Sequence, residues 1–169
     1  MDANFLRALQ APLKARYAAH PSDARITLRA TGSVEDRNIS CKVETGRALA
    51  VAGLHPATGG TGLELCSGDM LLEALVACAG VTLKAVATAL EIPLEAAKVS
   101  AEGDLDFRGT LGVDKAARVG FAAIRLTFDI RSDAPQDKLD TLLRLTERYC
   151  VVLQTLSSSP DLDVTLKRT

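Results

Sequence analysis

The stretch SGDMLLEALVACAGVTLKAVATAL, residues 67–90, decides the fold of this chain. Apolar residues recur along it with the period of an α-helix rather than that of a β-strand. A helix that is apolar around most of its circumference has to be covered by other parts of a protein. The pattern therefore predicts a buried helix over Ser67–Leu90 at the core of a domain, with Ser67 or Asp69 as its N-cap and Glu73 near its first turn.

A second helical pattern runs over Gln136–Leu156 and contains the sequence ERYCVVLQTL. Ser132 or Asp133 is its predicted cap, and Pro135 falls in its first turn. Cys150 shares one face of this helix with a row of leucines, and Cys78 lies in the middle of the first helix. Cys150 lies seventy-two positions after Cys78 in the chain. Whether their sulfurs meet is the main question that the sequence raises.

Length and charge narrow the class of protein. The chain has 169 residues and a formal net charge of −1, with both signs spread along it. A single domain with a substantial core is expected, without a dedicated surface for nucleic acid or for an anionic membrane. The N-terminus lacks the apolar stretch of a signal peptide, and no apolar run is judged long enough to span a bilayer. We therefore expect a soluble, cytoplasmic protein.

The cysteines favour redox or catalytic use over a disulfide framework. There are four of them, no two have the CxxC spacing, and the two histidines are distant from all of them in sequence. A cytoplasmic protein rarely keeps structural disulfides. A zinc site is only weakly supported, because the spacing of a structural site is missing. Cys41 and Cys66 are interpreted as small buried apolar residues.

The N-terminal half predicts an appended helix followed by strands. Residues 1–20 have helical spacing interrupted by Pro12, so residues 1–22 are interpreted as an N-terminal helical arm. Alternating segments predict strands, joined by a turn at 32–38 and forming an antiparallel meander. The glycine-rich residues 55–68 lack the GxxxxGK[ST] pattern and are interpreted as a flexible connection rather than a phosphate-binding loop. The predicted strands are Ala24–Thr31, Ile39–Glu44 and Ala48–Leu54.

Three more alternating segments complete the predicted fold. They are Lys98–Phe107, Phe121–Arg131 and a closing strand at Leu162–Leu166. The element order is then β-β-β-α-β-β-α-β over residues 23–169. The sequence predicts a single α+β domain in which two apolar helices pack against a mainly antiparallel sheet.

A reactive Cys78 needs help to lose its proton. The nucleophile is the thiolate, and Cys78 lies roughly 13 Å from the start of its helix. The helix dipole acts mainly within the first turn, and apolar burial disfavours the thiolate. We therefore expect a cation from elsewhere, an arginine in particular. Arg37, Arg47 and Arg148 are the candidates, and each of them is more simply interpreted as a solvated surface charge.

Two facing thiols would allow peroxide chemistry. Cys78 would attack the O–O bond and become a sulfenic acid, Cys150 would condense with it, and an external dithiol would reduce the disulfide. Apolar helix faces around the pair would favour organic hydroperoxides. The alternative is a pair of core cysteines that lie near each other without chemistry.

The segments SGDMLLEALVACAGVTLKAVA and LTERYCVVLQTL resemble the OsmC/Ohr family of osmotically induced and organic hydroperoxide resistance proteins. Cys78 and Cys150 match the family's two cysteines, and Glu147 matches the glutamate before the second. The resemblance covers about residues 24–167. It implies an intertwined homodimer with central helices wrapped by curved antiparallel sheets, and two active sites at the subunit interface. It also implies a cofactor-free thiol peroxidase with Cys78 peroxidatic, Cys150 resolving and a lipoyl dithiol as reductant.

The chain departs from that family's pattern at several positions. Gly68 stands where family peroxidases carry the glutamate that anchors the activating arginine, so Asp69 or Glu73 is the candidate replacement. Val151 stands where proline usually follows the second cysteine. Arg37 lies at a family-like distance from Cys78, whereas Arg47 is nearer the loop. A divergent subgroup is expected. The alternative functions are a non-catalytic dimeric stress or small-molecule-binding protein with unreactive thiols and a metal-binding thiol protein.

Overall fold

The computed structural model describes residues 2–20, 31–34, 40–44 and 49–168 of the chain. Helices and strands are mixed along the sequence, as the predicted α+β class requires. The helices are α1 (Ala3–Ala19), α2 (Ser67–Ala89), α3 (Phe107–Thr110), α4 (Gln136–Tyr149) and α5 (Val151–Ser157). The strands are β1 (Thr31–Val34), β2 (Ser40–Glu44), β3 (Leu49–Gly53), β4 (Leu65–Cys66), β5 (Ala96–Leu105) and β6 (Phe121–Arg131).

The strands form two separate sheets. Strands β1, β2 and β3 pair antiparallel in chain order, which confirms the predicted meander, and the short β4 adds to β3 in parallel. The second sheet is the long antiparallel pair of β5 and β6, whose register sets Val99 opposite Phe128 and Ala101 opposite Leu126. Alternation along β6 places its apolar side chains on one face. That face packs towards α2 and supplies one wall of the core.

Helix α2 is the centre of the domain, as its sequence predicted. Its buried residues Leu75, Ala79, Leu83 and Ala87 recur every fourth position, so they form one stripe along the helix. The upper part of the stripe packs with Leu142 of α4, and the lower part packs with Cys150 and β5 and β6. Much of the remaining circumference of α2 is uncovered: Val81, for example, is 73% exposed.

The expectation that no segment is long and apolar enough to span a bilayer is wrong for α2. Within the described residues this one helix, with 23 residues and a mean hydropathy of 1.8 over its most apolar part, meets that criterion by length and composition. Its stripe of fully buried residues against β5, β6 and α4 makes it the core helix of the domain.

The second predicted helix is broken in two at Cys150. This residue has φ −73° and ψ 105°, an extended conformation that ends α4 and begins α5. The sequence on both sides keeps a helical period and contains neither glycine nor proline, which is why the break was not predicted. It changes the direction of the backbone next to the second thiol.

The predicted caps are wrong for both helices. Cys66 is the N-cap residue of α2 and makes no capping hydrogen bond with its side chain. Pro135 is the N-cap residue of α4, and the Ser132 hydroxyl instead accepts a hydrogen bond from the backbone N–H of Ala134. Helix α2 begins directly after β4, whose pairing with β3 fixes the direction of the chain there.

Two predicted strand assignments also need correction. Gly32, Ser33 and Val34, expected in a turn, belong to β1, and the predicted strand residues 24–30 lie outside the described part of the chain. The predicted closing strand at Leu162–Leu166 is wrong. Residues 158–168 have no regular secondary structure and pair with none of the described strands. The alternating Leu162, Val164 and Leu166 are 80–95% exposed in this segment.

The N-terminal helix α1 is continuous through Pro12, which was expected to interrupt it. The proline ring removes one backbone hydrogen bond without ending this helix. Near its start, Arg7 forms an exposed ion pair of 2.8 Å with Glu91, which follows α2. An exposed pair of this kind contributes roughly 0–1 kcal/mol, so it orients α1 more than it stabilises it.

Candidate active site

Cys78 and Cys150 meet in the core of the domain. Cys78 lies in the middle of α2, half-buried, and packs against a fully buried cluster that contains Leu75, Ala79 and Cys150. Both thiols are free. Two cysteines that are far apart in sequence therefore lie in the same cluster of the core.

The walls around the two sulfurs are apolar. Strands β5 and β6 contribute a continuous surface of side chains, and the first residues of α5 close the other side. Because water is largely excluded from such surroundings, burial by itself raises the pKa of a thiol. The side chains in contact are Val99, Ala101, Ile124, Leu126, Phe128, Val152 and Leu153.

The pKa of Cys78 is nevertheless lowered from its ordinary value of 9.0. Burial is the largest single influence and acts to raise it, but four hydrogen bonds to the sulfur together outweigh burial. Two come from the backbone N–H groups of Val152 and Val151, one from the Cys150 thiol and one from the Thr82 hydroxyl. Hydrogen bonds to a charged form favour that form, so Cys78 is the thiol that is prepared to ionise.

The pKa of Cys150 moves in the opposite direction. Burial raises it first, and the hydrogen bond and negative charge of Cys78 raise it further. Cys150 is also fully buried, whereas Cys78 is partly accessible. The pair is therefore asymmetric: Cys78 has the properties of a nucleophile, and Cys150 has those of a protonated neighbour that donates a hydrogen bond.

A groove of about 450 Å³ opens beside the cysteine pair. Leu75 and Leu153 belong both to the cluster around Cys150 and to the lining of this groove. Most of the lining is apolar, with Leu71, Phe121 and Leu156 among its larger side chains, and Arg118 contributes the one charged side chain. Within the described part of the chain, Arg118 forms no ion pair. The groove suits a mainly apolar ligand with a polar or anionic end.

A family model described as OsmC-like protein matches residues 60–165, which include both cysteines and all elements from β4 to α5. The chain belongs to the OsmC-like protein family. No curated protein sequence matches it. Helix α1 and the first three strands lie outside the matched residues.

Solved OsmC-like structures share the fold at low sequence identity. An OsmC-like protein from Mycoplasma pneumoniae superposes with a TM-score of 0.65 at 17% identity, covering 79% of this chain and 89% of its own. An organic hydroperoxide resistance protein OsmC from Legionella pneumophila gives 0.62 at 18% identity, with 80% and 92% covered. An organic hydroperoxide resistance protein from Elizabethkingia anophelis gives 0.62 at 15% identity, with 80% and 91% covered. This chain therefore has an OsmC-like fold.

The cations predicted near Cys78 are not among the groups that contact it in the described part of the chain. Arg37 and Arg47 lie outside the described residues. Arg148 is exposed, and its guanidinium lies 5.8 Å from the centre of the Tyr149 ring. A role for Arg37 or Arg47 in activating Cys78 stays a prediction.

The predicted carboxylates lie away from the thiols of this OsmC-like chain. Asp69 and Glu73 are exposed and line a separate open cavity of about 480 Å³ along α2. Nine residues of helix turn Asp69 by about 180° from Cys78, which puts the two on opposite sides. Glu147 is exposed near the end of α4, where its backbone carbonyl accepts a hydrogen bond from the Gln154 amide.

Gly68, where the resemblance places the family glutamate, lies beside apolar side chains. A Cβ atom at Gly68 would lie 3.5 Å from Cζ of Phe121 and 3.6 Å from Cδ1 of Leu105. The Phe121 ring in turn covers Gly103 so closely that a Cβ atom there would lie 2.3 Å from its Cε1.

Sequence reasoning missed the backbone donors of Val151 and Val152, the Thr82 hydroxyl and Arg118. The two valine N–H groups are free of helix hydrogen bonds only because the helix breaks at Cys150. The helical periodicity of this segment does not predict that break. One signal was available, because valine in place of the family's proline at position 151 supplies an N–H that proline lacks. No group of three or more potential metal ligands occurs in the ranges that the structure describes.

Proposed function

We propose that this chain is a thiol-dependent peroxidase that reduces organic hydroperoxides through Cys78 and Cys150. The observation that carries the proposal is the contact between a half-buried thiol with a lowered pKa and a fully buried thiol with a raised pKa. Peroxide reduction by cysteine needs a thiolate to attack oxygen and a second thiol to resolve the product. Membership of the OsmC-like family, with relatives named for organic hydroperoxide resistance, supports the same reaction.

The proposed reaction balances in two steps. The Cys78 thiolate attacks the outer peroxide oxygen, the O–O bond breaks, and the alkoxide takes up a proton and leaves as an alcohol. Cys78 is then a sulfenic acid. The Cys150 sulfur attacks the Cys78 sulfur, water leaves, and a disulfide forms. A dithiol reductant, with a lipoyl group as the family-based candidate, restores both thiols by exchange.

The groove beside the pair supports a preference for organic peroxides over hydrogen peroxide. Its lining buries apolar surface, which contributes roughly 25 cal/mol per Å² of apolar area removed from water. Hydrogen peroxide has no such surface. Arg118 at the same groove suits a substrate that also carries a negative charge or a hydrogen-bond acceptor.

A homodimer in the cytoplasm is part of the proposal. Helix α2 is long and apolar, yet its outer side, opposite the buried stripe, keeps the exposed apolar residue Val81. Monomeric proteins rarely leave such a helix face uncovered, so a second copy is the proposed cover. Free thiols at the proposed site fit a reducing compartment.

The experiment is a thiol count during exposure to cumene hydroperoxide. The native chain should lose two thiols per chain and release cumyl alcohol. Cys78→Ser should abolish both effects. Cys66→Ser is the matched control, because Cys66 lies twelve residues earlier at the start of α2, and it should retain the reaction. Thiols that persist unchanged in excess peroxide would exclude the enzyme and leave a non-catalytic OsmC-like protein.

A further inference from the structure

The loop between β5 and β6 places an arginine at the groove and leaves its charge without a partner. This loop, residues 106–120, contains two acidic side chains, Asp106 and Asp114. Both of them pair with Arg108, at distances of 2.6 Å and 3.6 Å. Arg118 lines the groove and forms no ion pair within the residues that the structure describes. Its guanidinium is therefore available to an anion that enters the groove.

Backbone packing fixes the end of the loop that carries this arginine. A Cβ atom at Gly109 would lie 2.7 Å from the carbonyl oxygen of Ala117 and 2.8 Å from that of Arg118, so only glycine allows α3 to approach the loop this closely. The Asp114 carboxylate and backbone carbonyl also accept hydrogen bonds from the N–H groups of Ala116 and Ala117. The loop therefore holds the backbone of Arg118 in a defined place beside the groove.

An irregularity in β6 builds the apolar wall next to Arg118. Residues 120–124 all line the groove, whereas a regular strand would present only every second residue to one side. The register between β5 and β6 shifts at this point, and Ala122 has no partner in β5. A β-bulge of this kind bends a strand and changes the direction of its side chains. The bulge therefore accounts for a continuous apolar surface that begins beside a cation.

The two ends of the groove differ in chemistry. Arg118 lies where the loop enters β6, and Leu126 lies farther along that strand, in the cluster around Cys150. From Phe121 to Leu126 the strand advances five positions, or roughly 16 Å. A ligand that uses both ends must therefore be elongated, with an anionic group at one end and an apolar chain.

We propose that this groove is a binding site for a carboxylate with an unbranched apolar chain, whose head group pairs with Arg118 and whose chain lies along β6 towards the cysteines. A guanidinium can hold a carboxylate through two parallel hydrogen bonds, which gives the head group a fixed orientation. Binding of the carboxylate depends on the groove alone. That the reacting molecule is such a carboxylate with a hydroperoxide on its chain rests on the function proposed above.

A free carboxylate fits these residues better than a membrane surface does. Anionic membranes attract clusters of several basic side chains. Here a single arginine contributes the charge of the groove, and the whole chain has a net charge of −1. The chemistry of one cation at the end of an apolar recess favours a single carboxylate.

The test measures the binding of octanoate to the full-length reduced protein by calorimetric titration, with octan-1-ol as the uncharged ligand of matched chain. Octanoate should bind once per chain and about tenfold more tightly than octan-1-ol, the change expected for one charge-assisted pair. Butanoate should bind more weakly than octanoate, because each buried methylene strengthens binding roughly fourfold. Absence of octanoate binding, or equal affinities for octanoate and octan-1-ol, would overturn the proposal.

Arg118→Gln should weaken octanoate binding about tenfold and leave the affinity for octan-1-ol unchanged. Lys115→Gln is the matched control, because it removes the same charge from an exposed residue of the same loop that does not line the groove. This control should bind octanoate like the native chain. Equal losses in both variants would overturn the role of Arg118. Binding to phosphatidylglycerol vesicles without binding of octanoate would assign Arg118 to a lipid surface instead and would also overturn the proposal.

The position of the ligand has a separate readout. Octanoate should shift the backbone amide NMR signals of Gly120 and Phe121, which line the groove. Shifts confined to the separate cavity beside Asp69 and Glu73 would refute this site. Cys78→Ser should bind octanoate normally, since Cys78 is not among the described residues that line the groove. Because no peroxide is used, a failure of octanoate binding is distinct from a failure of the proposed peroxidase.

Discussion

Cys78 packs against the buried cluster that contains Cys150, and the pKa values of the two residues move in opposite directions. This relationship assigns different states to two side chains of the same chemical type. The difference follows the burial of the two residues, because Cys150 is fully buried whereas Cys78 is half-buried.

The order of alkylation should follow this asymmetry. The lowered pKa of Cys78 keeps its thiolate populated below pH 9.0, and the raised pKa of Cys150 keeps that thiol protonated above it. Iodoacetamide should therefore modify Cys78 first as the pH is raised, and modify Cys150 only in more alkaline solution. Peptide mass spectrometry across a pH series measures both. Modification of Cys150 at the lower pH would contradict the assignment of the nucleophile.

Removal of the resolving thiol should expose Cys78 to overoxidation. In Cys150→Ser the sulfenic acid at Cys78 has no thiol partner, so repeated doses of cumene hydroperoxide should convert it to the sulfinic acid. Mass spectrometry should find two added oxygen atoms on the Cys78 peptide. The native chain at the same dose should instead contain the Cys78–Cys150 disulfide. A Cys150→Ser protein that stays at the thiol level would argue against the resolving role.

Two glycine substitutions should differ in their effect on stability. In Gly103→Ala the new methyl group would lie 2.3 Å from the Phe121 ring, so either the ring or the strand must shift. The free energy of unfolding should fall by about 1–3 kcal/mol. In Gly80→Ala the methyl group lies 3.9 Å from Val99 within a helix, which should be neutral or stabilise by up to about 1 kcal/mol. Urea unfolding compares the two, and similar losses in both would contradict the role of the Phe121 contact.

The proposed homodimer should be sensitive to charge on the outer side of α2. Val81→Asp changes a side chain that is 73% exposed in the protomer, so the protomer should still fold. Burying the new carboxylate without a partner should weaken association roughly tenfold or more. Light scattering should find a dimer for the native chain and a lower mass for the variant. Val119→Asp, at a residue that is 68% exposed in the loop before β6, is the control and should keep the dimer mass. A monomeric native chain would refute the proposal.

Hydrophobic periodicity was sufficient to predict the central elements. The apolar pattern of α2 and the alternation of β6 each gave nearly the observed boundaries, because both segments bury one continuous face. The sequence did not predict whether the two cysteines are in contact, because that contact depends on how α2 packs against the α4–α5 segment. The structure brings the two residues together, whereas their catalytic roles stay proposals.

The errors have physical causes that are local to particular residues. Nothing in ERYCVVLQTL identifies the break at Cys150, because the residues on both sides favour a helix equally. Alternation at Leu162–Leu166 predicted a strand, but alternation gives no information on whether a neighbouring strand is present to pair with it. The N-caps of α2 and α4 were wrong because each helix follows a strand or turn that fixes the chain direction.

The placement of Cys78 and Cys150 on separate elements has a consequence for the oxidised protein. A bond between them would close a covalent loop of about seventy residues, which reduces the conformational freedom of the unfolded chain and adds on the order of 4 kcal/mol to stability in the chain-entropy description. The spent form, awaiting its reductant, would then resist heat and proteolysis better than the active one. The melting temperature would thus rise when the disulfide forms and fall when the reductant restores the two thiols.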